Sequence, residues 1–293
     1  MQAWHEVTST YRYKELPGKG KRMKALLVSV VLLSCLVNAS ANPLVGIAER
    51  IIRTNTNNGF EQSGLLSSAT SAKAPTKLIV VISGYPGVTR PQIDAAGNVK
   101  TRQNGNFLVR SRFYLVSEST ASLLIDCRSD FDLVCPDEYQ ASASRASDIA
   151  VLVEEAKRFL PSIEQVWAVS TSRGVITTAS LLKHGGSLYS GIIHTAGTYG
   201  KARDQGLDFG PFNMPQFIFH HKNDPCPVTY FRDAQKLAEQ WKISLITVSG
   251  GTGFRGDPCQ AFSQHGFMGR EEKVATAIRT LVERGFWDGR EID

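Results

Sequence analysis

The chain has 293 residues, of which 42% are hydrophobic and 20% charged, and its formal net charge is +6. Lysine and arginine are spread along the chain instead of clustering among aromatic residues, and this distribution argues against nucleic acid as a partner. No Pro/Ser-rich linker and no internal repeat divides residues 42–293, so this part is expected to form a single domain with a substantial core.

Residues 1–41 predict a leader and a signal peptide. A polar stretch, a basic pair, an apolar run over residues 25–37 and an Ala-Ser-Ala cleavage site follow one another. This order is typical of secretory signals, and the apolar run is too short for an ordinary membrane-spanning helix. The polar residues before Met23 indicate that Met23 is the true initiator. We expect a mature protein that begins near Asn42, is secreted or periplasmic and has no transmembrane span.

A lipobox is the alternative interpretation of the same segment. The sequence Leu32-Leu33-Ser34-Cys35 resembles one, and acylation of Cys35 would anchor the protein to a membrane. Leu33 is unusual just before the small residue of a lipobox, whereas the Ala-Ser-Ala site downstream is well formed. Cleavage after Ala41 is therefore favoured, and it removes Cys35 with the signal peptide.

Short apolar strands alternate with amphipathic helices after a Ser/Ala-rich segment, residues 63–74, which we expect to loop over the surface. The predicted strands are bounded by turn residues and span residues 77–83, 121–126, 165–170, 190–195, 215–221 and 243–248. The predicted helices span residues 144–159, 173–183, 229–241 and 270–284. This alternation predicts an α/β protein with a mostly parallel central sheet and helices on both faces.

Ser172 follows one of these strands, within the sequence Ser170-Thr171-Ser172-Arg173-Gly174. Ligands bind at the carboxyl ends of the strands in parallel sheets, so this serine lies where chemistry is expected. A strand-to-helix turn with small residues is typical of a nucleophile elbow, in which a strained serine lies above a helix N-terminus that stabilises negative charge. An ordinary helix start is the alternative for the pentapeptide alone.

Asp224 and His265 follow later strands. Asp224 lies in a tight turn after the strand over residues 215–221, and His265 lies on a loop before the last helix. The order Ser, Asp, His is that of the catalytic triad in α/β-hydrolases. A serine hydroxyl needs a neutral imidazole to take its proton, and a carboxylate holds that imidazole in the productive tautomer. We therefore predict Ser172 as nucleophile, His265 as general base and then acid, and Asp224 as the orienting carboxylate.

An oxyanion hole is expected after the strand over residues 77–83, where that family carries a His-Gly loop and this chain reads Ser83-Gly84-Tyr85-Pro86-Gly87. Acyl transfer requires N–H donors for the oxyanion of the tetrahedral intermediate. Pro86 has no N–H, so the predicted donors are the backbone amides of Tyr85 and Arg173. A Pro-Gly turn without a catalytic role is the alternative.

The chain thus resembles the α/β-hydrolases over residues 77–284, through the elbow, the Asp224 turn and Gln264-His265-Gly266. The stretch 105–112, followed by Leu124-Ile125-Asp126, resembles an exported bacterial group of poorly defined substrate. The resemblance implies a serine hydrolase with an acyl-enzyme intermediate, most commonly an esterase, with no cofactor and no metal. Ser83 and Ser170 replace the family's His and first Gly, and they leave the subfamily open.

Other acidic residues are weaker candidates for the triad. Asp257 follows a Gly-rich loop instead of a strand. Asp126 ends a strand but precedes Ser172, a position that is usually structural in this fold. Asp148 is expected on a helix facing solvent or on a loop. Asp224 is therefore preferred.

The remaining histidines and Arg173 have structural interpretations. His220 and His221 end a strand and are expected to lie on opposite faces of the sheet, with one imidazole hydrogen-bonded inside. His194 is expected to be packed and hydrogen-bonded, and His184 to close a helix as a favourable C-terminal charge. The Arg173 side chain would either attract an acidic substrate or pair with a surface carboxylate.

Four cysteines remain after the signal peptide, and an even number in an exported chain predicts two disulfides. Three pairings are possible. Proximity favours Cys127 with Cys135 and leaves Cys226 with Cys259, a bond that would tie the loop of the acid to the loop of the histidine. A zinc site is the alternative, but neither pair has Cys-x-x-Cys spacing.

The connection over residues 197–213 is short, polar and without a long apolar helix, so we expect little or no lid. The excursion over residues 85–112 is expected to form one wall of an open entrance. Such a site suits small or exposed acyl esters. A peptidase or amidase with the same chemistry is the next alternative, and a non-catalytic exported binding protein with this fold is an alternative of a different class.

Overall fold

The computed structural model describes residues 46–293, and the predicted leader, signal peptide, initiator Met23 and Cys35 lie outside this range. The strands in the described part are β1 (Ile47–Asn55), β2 (Glu61–Ala69), β3 (Lys77–Ile82), β4 (Gln92–Ile93), β5 (Val99–Lys100), β6 (Thr120–Ile125), β7 (Gln165–Thr171), β8 (Gly191–Thr195), β9 (Gln216–His221), β10 (Ser244–Val248) and β11 (Glu291–Ile292). The α-helices are α1 (Phe107–Arg110), α2 (Asp137–Gln140), α3 (Ala143–Phe159), α4 (Val175–His184), α5 (Tyr199–Asp204), α6 (Phe231–Trp241) and α7 (Glu271–Arg284). Within residues 46–293, no helix combines the length and the apolar character needed to cross a membrane.

Nine strands form the central sheet, in the order β1-β2-β6-β3-β7-β8-β9-β10-β11. The pairs β1 with β2 and β2 with β6 are antiparallel, and every pairing from β6 to β11 is parallel. β4 and β5 form a separate antiparallel pair. The predicted α/β fold with a mostly parallel sheet is confirmed, and the six predicted strands all belong to it.

Side chains along β3 alternate between two apolar cores, one on each face of the sheet, because successive residues of a strand point to opposite faces. Val80 and Ile82 belong to the core that also holds α3, α4 and α6. Ile79 and Val81 belong to the core that holds α1 and α7. Since both faces are covered, the carboxyl ends of the parallel strands are where loops meet and a site can form.

The first antiparallel strands correct one prediction. Residues 63–74 were expected to loop over the surface, but β2 occupies Glu61–Ala69 between β1 and β6 and is largely buried. The small residues of β2 allow the backbone of the neighbouring strand β6 to approach closely, since a Cβ at Gly64 would lie 2.8 Å from the Leu124 carbonyl oxygen. Ser67 is buried with its hydroxyl hydrogen-bonded. In this segment the serine and glycine residues are therefore a sign of close packing between strands and not of an exposed loop.

The connection from β8 to β9 agrees with the prediction of little or no lid. In the structure it contains a single α-helix, α5, of six residues. One face of α5 is buried, through Tyr199 and Ala202, which join the core around α4. The helix therefore packs onto the domain instead of forming a separate cover over the ends of the strands.

Candidate active site

Ser172 lies directly after β7 in a strained turn. Its φ is +53°, a region that residues other than glycine rarely adopt and that often occurs at functional sites. The turn is tight, since a Cβ at Gly174 would lie 2.6 Å from the Ser83 carbonyl oxygen. The following residues begin α4, so the half-buried Ser172 lies between a strand end and a helix N-terminus. This is the geometry of a nucleophile elbow.

Ser170, which replaces the first glycine of the elbow, is accommodated by a buried polar chain. Its Oγ lies 2.8 Å from Thr178 Oγ1, which in turn lies 3.0 Å from His194 Nδ1. Burial lowers the pKa of His194 to about 4, so this imidazole is neutral at neutral pH. It can therefore take part in the buried hydrogen-bonded chain without the energetic cost of burying a charge. The prediction of a packed, hydrogen-bonded His194 agrees with this arrangement.

His265 and Asp224 are in direct contact. His265 Nδ1 lies 3.0 Å from Asp224 Oδ2, and both side chains are almost fully buried. A carboxylate accepts only, so Nδ1 carries the proton and donates. In the neutral ring Nε2 is then the unprotonated nitrogen, which is the tautomer that a general base requires.

Asp224 accepts hydrogen bonds from three donors and has His220 as a further close neighbour. The Cys226 amide donates to Oδ1 at 2.9 Å, and the Thr229 hydroxyl donates to Oδ2 at 3.0 Å. His265 Nδ1 is the third donor, at 3.0 Å from Oδ2. His220 Nε2 lies 3.3 Å from the same Oδ2, but its closer partner is the Thr229 carbonyl oxygen at 2.8 Å. Burial of the carboxyl favours its neutral form, but the interactions with His220 and His265 outweigh it and hold the pKa of Asp224 well below its usual range.

A cavity of about 650 Å³ brings the predicted residues together. Ser172, His265, Tyr85 and Arg173 all line it, as do both cysteines of the second disulfide. Among the described residues, the structure contains no hydrogen bond between the Ser172 hydroxyl and His265. A larger groove of about 1090 Å³ lies along α7 and contains none of the predicted triad.

No candidate metal site emerges within residues 46–293, where no three His, Cys, Asp or Glu side chains group together in a way that would hold an ion. The polar groups around the cavity are hydroxyls, amides, paired cations and the His265 imidazole.

The predicted oxyanion loop adjoins the nucleophile. A Cβ at Gly84 would lie 2.9 Å from Ser172 Cβ, so only glycine lets the loop come this close. The Tyr85 amide has no hydrogen-bond acceptor among residues 46–293, and the Pro86 carbonyl accepts from the Cys135 amide at 2.8 Å. The loop is thus held beside Ser172 with one amide left available.

The Arg173 side chain pairs with a carboxylate. Its Nε and Nη2 donate to the two oxygens of Asp137 at 2.5 and 2.6 Å, a bidentate pair that raises the pKa of Arg173. The guanidinium also lies over the Tyr85 ring, 5.3 Å from its centroid. Of the two interpretations left open by the sequence, the structure shows the ion pair.

The two disulfides lie on either side of the cavity. Cys226 is joined to Cys259, across a separation of 33 residues, and connects the Asp224 turn to the segment before His265. Cys127 is joined to Cys135, across a separation of 8 residues, beside the oxyanion loop.

Within residues 46–293, the other acidic candidates, unlike Asp224, make no hydrogen bond or ion pair with His265. Asp126 is buried and accepts from the Thr89 and Cys127 amides at 2.7 and 2.8 Å. Asp257 is exposed and does not line the cavity. Asp148 lies on a helix, as one of its expected placements had it, but the expected exposure is wrong: it is buried on α3, where the Tyr139 hydroxyl donates to its Oδ2 at 2.7 Å.

The remaining histidines lie at the ends of β9 and α4. His220 is buried against Asp224, whereas His221 Nε2 lies 3.0 Å from the Gly250 carbonyl oxygen, as expected for neighbours on opposite faces of the sheet. His184 is exposed at the last turn of α4.

Sequence reasoning missed two supports of the site. Thr229 and Gln103 each hydrogen-bond a predicted site residue or its neighbour, but both lie on loops with no recognisable spacing to the triad. Thr229 lies in the loop after Asp224, which is the single local signal that pointed to it.

No family model matches the chain, and no curated protein matches it. Solved structures match it strongly in fold. An α/β serine hydrolase homologue from Coxiella burnetii is 12% identical, with a TM-score of 0.52 over 81% of this chain and 97% of the other. An α/β serine hydrolase without a lid from Xanthomonas campestris is 12% identical, with a TM-score of 0.54 over 81% of this chain and 95% of the other. The esterase Est22 is 11% identical, with a TM-score of 0.52 over 82% of this chain and 81% of the other. The chain therefore has the α/β-hydrolase fold.

Proposed function

We propose that this protein is a serine hydrolase that cleaves carboxylic esters through an acyl-enzyme intermediate. The observation that supports it most is the hydrogen bond from His265 Nδ1 to the buried Asp224, on a histidine that shares a cavity with the strained Ser172. Each of these three features requires its own backbone geometry, and a structural role alone would not bring them together.

The mechanism follows from these positions. His265 Nε2 removes the proton from Ser172 Oγ, and Oγ attacks the acyl carbon while the imidazolium is stabilised by Asp224. The backbone amides of Tyr85 and Arg173 stabilise the oxyanion of the tetrahedral intermediate. When the intermediate collapses, His265 gives its proton to the leaving alcohol, and a water molecule then hydrolyses the acyl-enzyme by the same steps.

The substrate class is argued from the cavity and the fold. The short α5 leaves the strand ends without a cover, which suits small or solvent-exposed acyl groups more than lipid aggregates. One structure of the same fold is an esterase and another is a serine hydrolase without a lid, and both support this proposal.

We also propose that the protein is exported. Both disulfides are compatible with an extracellular or periplasmic location, because structural disulfides persist in oxidising compartments. The predicted signal peptide within residues 1–41 would direct it there. Its removal from the purified secreted protein is checked by N-terminal sequencing, which we expect to begin near Asn42.

The test is hydrolysis of short-chain para-nitrophenyl esters by the wild type and by Ser172→Ala. Removal of a nucleophilic serine is expected to lower kcat by about 10⁶-fold. Ser162→Ala is the matched control, because Ser162 lies at the opposite ends of the strands and donates to the Pro75 carbonyl oxygen at 2.8 Å. A fluorophosphonate probe should label the wild type and Ser162→Ala but not Ser172→Ala.

Equal rates for the wild type and Ser172→Ala would refute the assignment of the nucleophile. Cleavage of amide or peptide substrates in preference to esters would favour a peptidase or amidase. No turnover and no labelling of the wild type would favour a binding protein that retains the fold.

A further inference from the structure

Gln103 lies beside the oxyanion loop, on the segment between β5 and α1, and also lines the cavity. Its side chain is 7% exposed and takes part in two hydrogen bonds. The Ser83 hydroxyl donates to Gln103 Oε1 at 2.6 Å, and Gln103 Nε2 donates to the Gly84 carbonyl oxygen at 3.0 Å. The Gly84 carbonyl only accepts, so Nε2 must be the atom that faces it, and Oε1 then faces the Ser83 hydroxyl.

The bond to Gly84 determines where the Tyr85 amide points. Gly84 C=O and Tyr85 N–H belong to the same peptide unit, which is planar and trans. In a trans peptide the carbonyl and the N–H point in opposite directions. With the carbonyl directed to Gln103, the Tyr85 N–H is directed away from it.

This peptide lies beside the candidate site. The Gly84 α-carbon is packed against Ser172, as the 2.9 Å approach of a Cβ to Ser172 Cβ shows. The Tyr85 amide has no acceptor among the described residues, and Tyr85 lines the cavity. An N–H that is available beside the nucleophile is what an oxyanion hole requires.

Gln103 is itself fixed at its backbone. Its amide donates to Thr101 Oγ1 at 3.1 Å, and its carbonyl accepts from the Asn106 amide at 2.9 Å. A side chain anchored at both ends can hold a peptide in one orientation, which a mobile surface glutamine cannot.

We propose that Gln103 is a positioning residue that holds the Gly84–Tyr85 peptide with its N–H towards the oxyanion, and that the hydrogen bond from Ser83 holds Gln103 in place. This inference rests on the proposed hydrolase function. It also explains a departure of this sequence from its family: Ser83 stands where the family carries a histidine, and here it supports the loop through Gln103.

The test compares Gln103→Met with Gln216→Met. Methionine has nearly the shape of glutamine and cannot donate to a carbonyl oxygen. Gln216 is the matched control, because its Nε2 donates to the Phe209 carbonyl oxygen at 2.8 Å and it begins β9, at the end of the sheet away from the cavity. Gln103→Glu is a second variant, which keeps the acceptor for Ser83 and removes the donor.

Loss of one direct oxyanion donor costs about 10²-fold to 10³-fold in kcat, so a misdirected donor should cost about 10-fold or more. We expect this loss in kcat for Gln103→Met and Gln103→Glu, with KM changed by less than about 3-fold, since the interaction is made in the transition state. The affinity for a trifluoromethyl ketone, which forms an oxyanion on Ser172, should fall in parallel with kcat/KM. Ser83→Ala should show a smaller loss in the same direction, and Gln216→Met should retain wild-type kcat.

The inference is overturned if Gln103→Met keeps kcat within about 2-fold of the wild type, or if its loss is matched by Gln216→Met. Wild-type protein that hydrolyses no ester would refute the proposed function instead. The amide resonance of Tyr85, followed by NMR, then decides the positional inference alone: a shift in Gln103→Met and not in Gln216→Met supports it, and an unchanged resonance overturns it.

Discussion

The two sides of the cavity are built differently. On the acid–base side, the loops after β9 and β10 hold Asp224 and His265 through bonds between side chains, with Thr229 donating to the same carboxylate. On the oxyanion side, the loop after β3 offers backbone amides, and its carbonyls are bound by Gln103 and the Cys135 amide. Each side also has its own disulfide.

This difference shows how each side responds to substitution. The acid–base side depends on the identity and protonation of side chains, so a change of one atom can select the wrong tautomer. The oxyanion side depends on the path of the backbone, so its weak points are the glycine and the glutamine that allow and fix that path. Substitutions on the two sides should therefore produce different kinetic signatures.

Among substitutions that distinguish the two sides, the largest effect is expected on the acid–base side, for Asp224→Asn. An amide in place of the carboxylate favours the wrong imidazole tautomer and no longer stabilises the imidazolium, and we expect kcat to fall by about 10⁴-fold. The measurement is steady-state hydrolysis of an activated ester. Asp257→Asn is the matched control, since Asp257 is exposed and outside the cavity. A larger loss for Asp257→Asn than for Asp224→Asn would move the acid to that loop.

A smaller effect is expected on the oxyanion side, for Gly84→Ala. The added methyl group would lie 2.9 Å from Ser172 Cβ and 3.2 Å from the Thr171 carbonyl oxygen, so the loop must move away from the nucleophile. We expect kcat to fall by about 10²-fold, as for the loss of an oxyanion donor.

The control for Gly84→Ala is Gly200→Ala on α5, where an added Cβ meets no atom within 4 Å. It should leave kcat unchanged. If Gly84→Ala and the wild type have comparable activity, the position of the loop is not required for catalysis. Only the acid–base side would then contribute to the reaction.

The smallest effects are expected from removal of the disulfides in pairs, by Cys→Ser substitution. In the chain-entropy model, loss of the Cys226–Cys259 bond lowers the free energy of unfolding by about 4 kcal/mol and loss of the Cys127–Cys135 bond by about 2.5 kcal/mol, because the former closes the longer loop. Urea denaturation measures both values.

The activity of the two disulfide variants, measured at low denaturant, gives a second comparison of the two bonds. Loss of the Cys226–Cys259 bond frees the acid turn from the histidine loop, and we expect a loss in kcat of about 10-fold, within the range for a displaced catalytic group. A non-reduced digest analysed by mass spectrometry should contain the Cys226–Cys259 linkage. Any other linkage would remove the connection between the two catalytic loops.

Much of the fold could be predicted from the sequence, because its parallel strands are buried on both faces and appear as continuous apolar runs. The predicted ends of the strands and starts of the helices then placed Ser172, Asp224 and His265 at the carboxyl ends of the parallel strands. These three residues could be predicted from their order along the chain and from their positions after predicted strands, and a single sequence contains both kinds of information.

The antiparallel strands and the supports of the site could not be predicted in the same way. β1 alternates exposed and partly buried residues and is rich in charge, and β2 is rich in serine, so neither has the apolar run of a buried strand. Gln103 and Thr229 act through contacts that depend on the folding of loops. Burial of Asp148 was also missed, because its partner Tyr139 comes from a separate short helix.

The outer edge of the sheet has a consequence for solubility. Within the described residues, β1 pairs with β2 alone, so its other side offers unpaired backbone groups along nine residues. An open edge of this length invites association with the edge of another molecule. β1 places exposed Arg50 and Arg53 along it, and two copies meeting edge to edge would bring like charges together. At the opposite end the sheet finishes in β11, which has two residues and offers little to extend. The charges on one edge and the shortness of the other therefore oppose growth of the sheet into aggregates.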